Sequence, residues 1–415
     1  MPPTAGARPR ALVIGAGITG ALVAWRLQRA GWQVTILEAA YVGAGSSSRT
    51  AAGIRQQFST PETVVGMRFS VDFYRRFCEE VGGTDVPIVQ NGYLFLHADE
   101  EAWQGARARV AMQRHFGLAE VEDLDVSALV QRFSWVDRHA VLGGTFCPSD
   151  GFLHPETVYN EAIAAARRLG ATLHVASPVT RTEHVGDRIV ALHTPQGRFE
   201  ADLVVDCTNA FDAALQGQLG FTPLPIAPLK RYLWFVQRDG SVFSGELGTR
   251  AFASMPLVIA PSGAYCRPEN AESLLCGWAH EARPEPGFGY DDQDRVEPEF
   301  FHKTGTDTVG YQTWATLAEV IPGIGEFAGI TATTCGYYAT TPDHNPFLDR
   351  DPAIQNLIRA VGFSGHGAMF GPFSALVVEA LAREGRPDHL AVLDRDIPLT
   401  AFRIGRAFGH ESMVI

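Results

Sequence analysis

Apolar positions along the chain change period in a regular way, and the changes mark the elements. Residues 11–14 (ALVI) form a continuous apolar run of strand length, ALVAWRLQRAG then spaces its apolar residues as a helix does, and WQVTILE returns to strand spacing. A second helix is predicted over 62–80, followed by strand, turn and strand in VPIVQNGYLFLHAD (86–99). PETVYNEAIAAARRLG (155–170) reads as an amphipathic helix opening at a proline, with short strands after it in ATLHV and VTRTEH. DRIVALHTPQGRFEADLVVDCTNAF carries a hairpin into a buried strand that ends at Cys207. From about 225 to 325 the pattern becomes strand-rich, in RYLWFVQ, PLVIAPSGAYCRPE and SLLCGWAHE. NLIRAVGFSGHGAMFGPFSALVVEALAREG finally gives a strand, a Gly-rich turn and a long helix.

Two α/β stretches far apart, with strand-rich segments between them, predict an α/β nucleotide-binding domain interrupted by an α+β, sheet-rich substrate domain. The expected division is 1–90, 145–225 and 326–415 for the nucleotide-binding domain, and 91–144 and 226–325 for the substrate domain. A length of 415 residues with 46% apolar content supports two domains sharing a large core. A net charge of -12, without clustered Lys or Arg, argues against nucleic acid as a partner. The six cysteines show no CxxC pairing or metal spacing, so they read as reduced thiols and no metal site is expected. Arg26 and Arg29 arrive before any membrane-spanning apolar length accumulates, so no membrane span is expected and the protein is placed in the cytoplasm.

The chemistry begins between the first strand and helix. Gly15 permits a tight turn, Gly17 lets backbone approach a pyrophosphate, and Gly20 lets the helix pack on the sheet. Ile18 and Thr19 bring unpaired N–H groups of the helix N-terminus to the phosphates. Glu38 ends the second strand about 20 residues on, where a carboxylate accepts ribose hydroxyls. These features predict a dinucleotide without choosing NAD or FAD. Ser46, Ser47, Ser48 and Arg49 follow the second strand and offer hydroxyls, N–H groups and a guanidinium to a pyrophosphate. Because the chain returns to the cofactor region three times, the extended FAD molecule is favoured over NAD.

Several segments, in this order, resemble the flavoprotein family that includes D-amino-acid oxidase, glycine oxidase, monomeric sarcosine oxidase and the proline and dimethylglycine dehydrogenases. They are GAGITG with Glu38, SSSRTAAGIRQQF (46–58), DGFLHPE (150–156), ADLVVDCTNAF (201–211), GAYCRPE (263–269), GYYATTPDHNPFLD (336–349) and VGFSGHGAMFGP (361–372). The resemblance implies a Rossmann-like FAD-binding domain and oxidation of the C–N bond of an amine or amino acid to an imine. It implies adenine contact at Pro178 and Val179, and flavin contact in the turn carrying Gly362, Gly365, His366 and Gly367. Arg55 is the expected substrate-carboxylate residue, with a structural arginine as the alternative. Tyr265 and Arg267 share a strand face and are the next candidates, although Arg267 also suits a strand-end salt bridge. Trp278 and His280 are weaker candidates, and the loop Thr341–His344 is expected near the flavin.

Two departures from the family pattern bear on function. Met369 stands where the sarcosine-oxidase relatives carry an oxygen-activating lysine, which leaves oxygen or another electron acceptor open. Cys335 is one residue early for a covalent flavin link and puts Gly336 at that position, so non-covalent FAD is expected. The alternatives are an NADPH-using flavin monooxygenase and a non-catalytic flavoprotein partner or assembly factor. An oligomer is possible on any of these readings.

Overall fold

The computed structural model describes residues 8–238, 247–278, 292–301, 305–409 and 411–413. His280 lies outside them. Two large sheets organise the chain. The first has six strands in the order Phe347–Arg350, Leu357–Val361, Leu203–Asp206, Arg10–Ile14, Gln33–Leu37, Thr172–His174, and all are parallel except the Phe347–Arg350 edge. Its central strands are apolar almost throughout, because helices cover the sheet and leave no wet face. The Ile18–Arg29 helix packs against the Pro155–Arg168 and Gly367–Glu384 helices, which explains why ten of its twelve residues are buried.

The second sheet has eight strands, in the order Gly329–Thr340, Ala227–Gln237, Ser273–Trp278, Ala264–Pro268, Leu257–Ile259, Tyr93–His97, Gly143–Cys147, Glu122–Asp125. The Gly329–Thr340 strand lies in this sheet although its residues fall in the stretch expected for the nucleotide-binding domain. Its long antiparallel pairing with Ala227–Gln237 accounts for that placement. The helix predicted over 62–80 is divided at Arg76 into Pro61–Arg75 and Phe77–Val81.

One helix carries a proline in its interior. Pro372 has no N–H to donate to the carbonyl of Ala368, four residues earlier. The hydroxyl of the fully buried Tyr74 donates to that carbonyl instead, at 2.7 Å. The first turn of the Gly367–Glu384 helix is thereby tied to the Pro61–Arg75 helix.

Candidate active site

Along the C-terminal ends of the parallel strands runs a cleft enclosing about 1200 Å³, the position where open α/β sheets bind ligands. The glycines act as their spacing predicts. Gly15 has φ +98°, and a Cβ there would meet Cys207 O at 3.0 Å; a Cβ on Gly20 would lie 2.0 Å from Gly15 O. Gly17 would place a Cβ 2.7 Å from Ser47 Oγ, which itself accepts from Ile18 N at 3.0 Å. A side chain at any of the three would force these packed segments of the turn apart.

Gly15, Gly17, Ile18, Thr19, Glu38, Ser46, Ser47, Arg49, Val179, Gly365 and Gly367 all line this cleft, as does Pro178. Glu38 is buried and accepts from Ala16 N at 2.7 Å and Ala40 N at 2.8 Å. Burial raises its pKa against the opposing pull of those N–H groups. Gly20, Ser48 and Gly362 are not in the lining. Gly20 serves helix packing, Ser48 turns to Gly45 O, and Gly362 donates to Asn209 Oδ1 at 3.2 Å. Arg49 pairs with Asp294 and donates to Ala44 O and Gly45 O, bracing the serine turn.

The DCTNAF segment is held from behind by a buried charge cluster. Arg359, with no exposed surface, pairs with Asp206 at 3.0 Å, with Asp351 at 3.2 Å and with Asp212. Burial, followed by the neighbouring Asp206, raises the pKa of the Asp212 carboxyl against the pull of Arg359. Asp206 Oδ1 also accepts from Thr208 N and Thr208 Oγ. Thr208 and Asn209 are thereby fixed in the cleft wall.

A smaller cavity of about 410 Å³ adjoins this cleft, and Thr50, Tyr338 and Gly365 line both. Its other walls are Ala51, Ala52, Gly53, Tyr93, Leu257, Tyr265, His366 and Met369. No Asp or Glu is among them. Strand alternation explains the composition: Tyr93, Leu257 and Tyr265 project from one face of the eight-stranded sheet, and Tyr338 projects from the same face at its edge. Opposite them stands the turn before the Gly367–Glu384 helix. A Cβ on Gly365 would lie 2.4 Å from the Tyr338 ring, so the glycine lets that ring close the junction.

His366 is fully buried, and desolvation with the nearby Arg55 charge holds its pKa well below 6.5. The ring is therefore neutral. Its Nε2 faces Arg55 Nη2 at 3.2 Å, and arginine only donates, so Nε2 accepts and the ring proton sits on Nδ1. No group pairs with Nδ1 among the described residues. The neutral His366 ring thus carries one N–H donor and supplies no base.

Arg55 lies behind His366 and outside the cavity lining. It is completely buried, stacks on Phe58 at 4.0 Å, and donates to Gln57 O and Met413 O as well as to His366. Among the described residues it makes no ion pair. Arg267 is also outside the lining: its guanidinium donates to Ala51 O at 2.8 Å and pairs with Glu269 at 2.7 Å. Of the substrate-side residues expected from sequence, Tyr265, His366 and Met369 meet at the cavity. Thr341 and Asp343 instead bond to Asn345 O and Arg406, which braces the loop, and Trp278 donates to Ser262 O. Cys335 projects from the opposite face to Gly336 and bonds to Gln293 O, with its thiol in the core.

Sequence reasoning missed Tyr93, Tyr338 and Arg231. Tyr93 and Arg231 lie in segments read as strands and Tyr338 in a segment marked only by the family resemblance, and the pairing register is what puts all three on the face toward the cavity. Arg231 stands opposite Gly336 and two residues from Leu233, on the face that carries Tyr265 and Tyr338.

Comparison with known proteins agrees with this geometry. A family model described as FAD dependent oxidoreductase matches residues 10–381. The chain is 27% identical to the FAD-dependent oxidoreductase domain-containing protein 1 of Bos taurus, over 91% of this chain and 82% of that protein. It is 26% identical to an N-methyl-L-tryptophan oxidase of Salmonella arizonae, over 95% of this chain and 98% of the relative. Among solved structures, L-proline dehydrogenase from P. horikoshii superposes with a TM-score of 0.81 at 26% identity, covering 95% of this chain and 96% of that one.

Proposed function

The chain belongs to the family of FAD dependent oxidoreductases, and from that premise we propose that it oxidises the C–N bond of an amino acid or an N-substituted amine to an imine. The observation that carries this reading is the junction of the two cavities at Thr50, Tyr338 and Gly365, which puts a small ligand against the end of the cofactor cleft. The residues present suit FAD: the glycine cradle at Gly15 and Gly17 and the serine turn would hold its pyrophosphate, and Glu38 its ribose. When bound, FAD supplies the two-electron acceptor. Cys335, buried in the core, supports a non-covalent cofactor.

The protein groups position the amine and set its protonation. An ammonium resists loss of hydride from the adjacent carbon, so the reactive form is the neutral amine. Among the described residues the cavity wall contains no carboxylate, and Arg55 and Arg231, neither of them ion-paired there, lie close by. Positive potential and a dry wall both lower the pKa of a bound ammonium. His366 Nδ1–H and the tyrosine hydroxyls orient polar atoms of the substrate. The first turn of the Gly367–Glu384 helix lines the cleft and stabilises negative charge developing at that end.

Met369 on the wall supports an electron acceptor other than oxygen, because a thioether supplies no positive charge. Among the described residues no helix is long and apolar enough to cross a membrane. Among the described residues no disulfide joins any of the six cysteines, which supports a cytoplasmic setting. The test is anaerobic mixing of the purified holoprotein with a panel of primary, N-methylated and cyclic amino acids and amines, followed by the visible flavin band. Bleaching by an amine supports the proposal; a band that no amine changes, and that NADPH alone bleaches, rejects it.

A further inference from the structure

One buried carboxylate lies outside both cavity linings and yet holds the chain that reaches the smaller one. Glu411 is almost completely buried, and its oxygens accept from Ser59 N at 2.8 Å, Ser59 Oγ at 2.6 Å, Thr60 Oγ1 at 3.3 Å and Met413 N at 3.0 Å. All four donors are neutral, and among the described residues no cation pairs with this carboxylate. Ser412 N donates to Ser59 Oγ at 2.9 Å, and Glu411 N to Asp343 O at 3.3 Å. Residues 411–413 are thus strapped onto the loop that follows Arg55. Burying a carboxylate without a cation is costly, so the strap must hold something that the fold needs in place.

The strap reaches the smaller cavity in two ways. Met413 O accepts from Arg55 Nη2, the nitrogen that also faces His366 Nε2 at 3.2 Å. At the other end of the fork, Nη1 donates to Gln57 O. Because a guanidinium is rigid and planar, these two carbonyls together fix where Nη2 meets the histidine ring. Gln57 has an acid of its own, since its Nε2 donates to Asp150 Oδ2 at 3.1 Å and to Tyr93 O at 3.0 Å. Glu411 and Asp150 therefore stand on two sides of the buried Arg55 cation, each near enough to support its charge and each holding a segment whose carbonyl binds it. The second route is apolar. The Met413 side chain is buried in the same cluster as Tyr93, Leu257 and Tyr265, which line the cavity.

We propose that Glu411 is a positioning residue of the active site: it latches residues 411–413 so that Met413 O holds Arg55 against His366 and the Met413 side chain backs the tyrosine wall. This rests on the reading of the smaller cavity as the substrate site. Without the latch, Arg55 Nη2 loses an acceptor and the His366 ring loses the contact that fixes its tautomer. Glu411 acts on the cavity only through these neighbours.

The test uses FAD-loaded protein and has two arms. The first needs no substrate: amide hydrogen exchange is followed by mass spectrometry in wild type, Glu411→Ala and Glu411→Gln. Glu411→Ala is expected to speed exchange about 10-fold or more in peptides covering 55–60 and 364–370, where His366 N and Phe370 N are bonded to Phe363 O and His366 O. Glu411→Gln keeps one acceptor oxygen and is expected to restore part of the protection. Exchange in the strand Leu203–Asp206 is expected to stay at the wild-type rate. Unchanged exchange at 364–370, or an equal rise in every peptide, overturns the proposal. In the second arm, an amine that bleaches the flavin gives the reduction rate at saturation and KM. Glu411→Ala is expected to lower the saturated rate about 10-fold in the wild-type background and less than about 2-fold in an Arg55→Met background, since both changes break one chain of contacts. Losses that multiply independently overturn the relay through Arg55. Should no amine reduce the flavin, the functional reading fails while the first arm still decides the role of Glu411; the first arm also decides it should Arg55→Met take up no FAD.

Discussion

Arg55 Nη2 lies 3.2 Å from His366 Nε2, and through this contact a buried cation sets the tautomer of a cavity-wall histidine. The same guanidinium holds the carbonyls of Gln57 and Met413 and stacks on Phe58 and Phe95. Arg55→Met would retain the stacking and leave both carbonyls unpaired in a dry site. A loss of about 2–4 kcal/mol in denaturant unfolding is expected, since each buried unpaired group costs about 1–3 kcal/mol. Stability equal to the wild type would mean that those carbonyls find other partners.

Gly20→Ala tests the nucleotide cradle. The new methyl would sit 2.0 Å from Gly15 O, a backbone atom that cannot swing aside. Helix and turn must separate, at a cost of about 1–3 kcal/mol or more. The purified variant is expected to carry far less FAD than the wild type, as read from the ratio of visible to ultraviolet absorbance. Full occupancy would show that the close approach is dispensable.

Met369→Lys addresses the electron acceptor. A cation on the cavity wall would stabilise the negative charge that develops as oxygen is reduced. Reoxidation of the photoreduced flavin by dissolved oxygen is expected to accelerate about 10-fold or more, corresponding to about 1.4 kcal/mol. An unchanged rate in stopped-flow measurement would remove this residue from control of oxygen reactivity.

The pH dependence of stability has a separate handle in His97. Burial, with a smaller contribution from Arg109, pushes its pKa down to about 4, and it stacks on Trp103 with Nε2 unpartnered. Below pH 6.5 the unfolded chain takes up a proton that the folded chain refuses, so stability falls with pH from about 6.5 to about 4. The full effect is up to about 3 kcal/mol. Asp150, raised to about 6 by burial, acts in the opposite direction, since its folded form takes up a proton first as pH falls. That contribution is common to wild type and His97→Gln and cancels in their difference. Urea unfolding at pH 7 and pH 4.5 is expected to show a shallower acid loss in His97→Gln, and parallel losses would contradict the assignment.

The nucleotide-binding half was legible because its signals are local. Strand, turn and helix follow one another within residues 11–38, and the glycines act on neighbours a few positions away, as Gly20 does on Gly15. Several strands of the second sheet, among them Tyr93–His97, Ala264–Pro268 and Ser273–Trp278, were also readable as strands. The division of the chain was less so, since Gly329–Thr340 joins its sheet by pairing with a strand about a hundred residues earlier.

The substrate side depended on the tertiary structure for a physical reason. An arginine in a sequence is a cation with five donors, and whether it can receive a substrate depends on which acceptors the fold brings to it. Folding sets the carbonyl of Met413 on Arg55 and Ala51 O with Glu269 on Arg267. It leaves Arg231 over Tyr338 with no acceptor for its Nε among the described residues. Periodicity and motif spacing determined the dinucleotide cradle, the strands read from them and the candidate Tyr265, and the family resemblance added His366 and Met369. Register and long-range contact decided which cations are paired among the described residues, because neutralisation is a property of neighbours hundreds of positions apart, as Met413 is from Arg55.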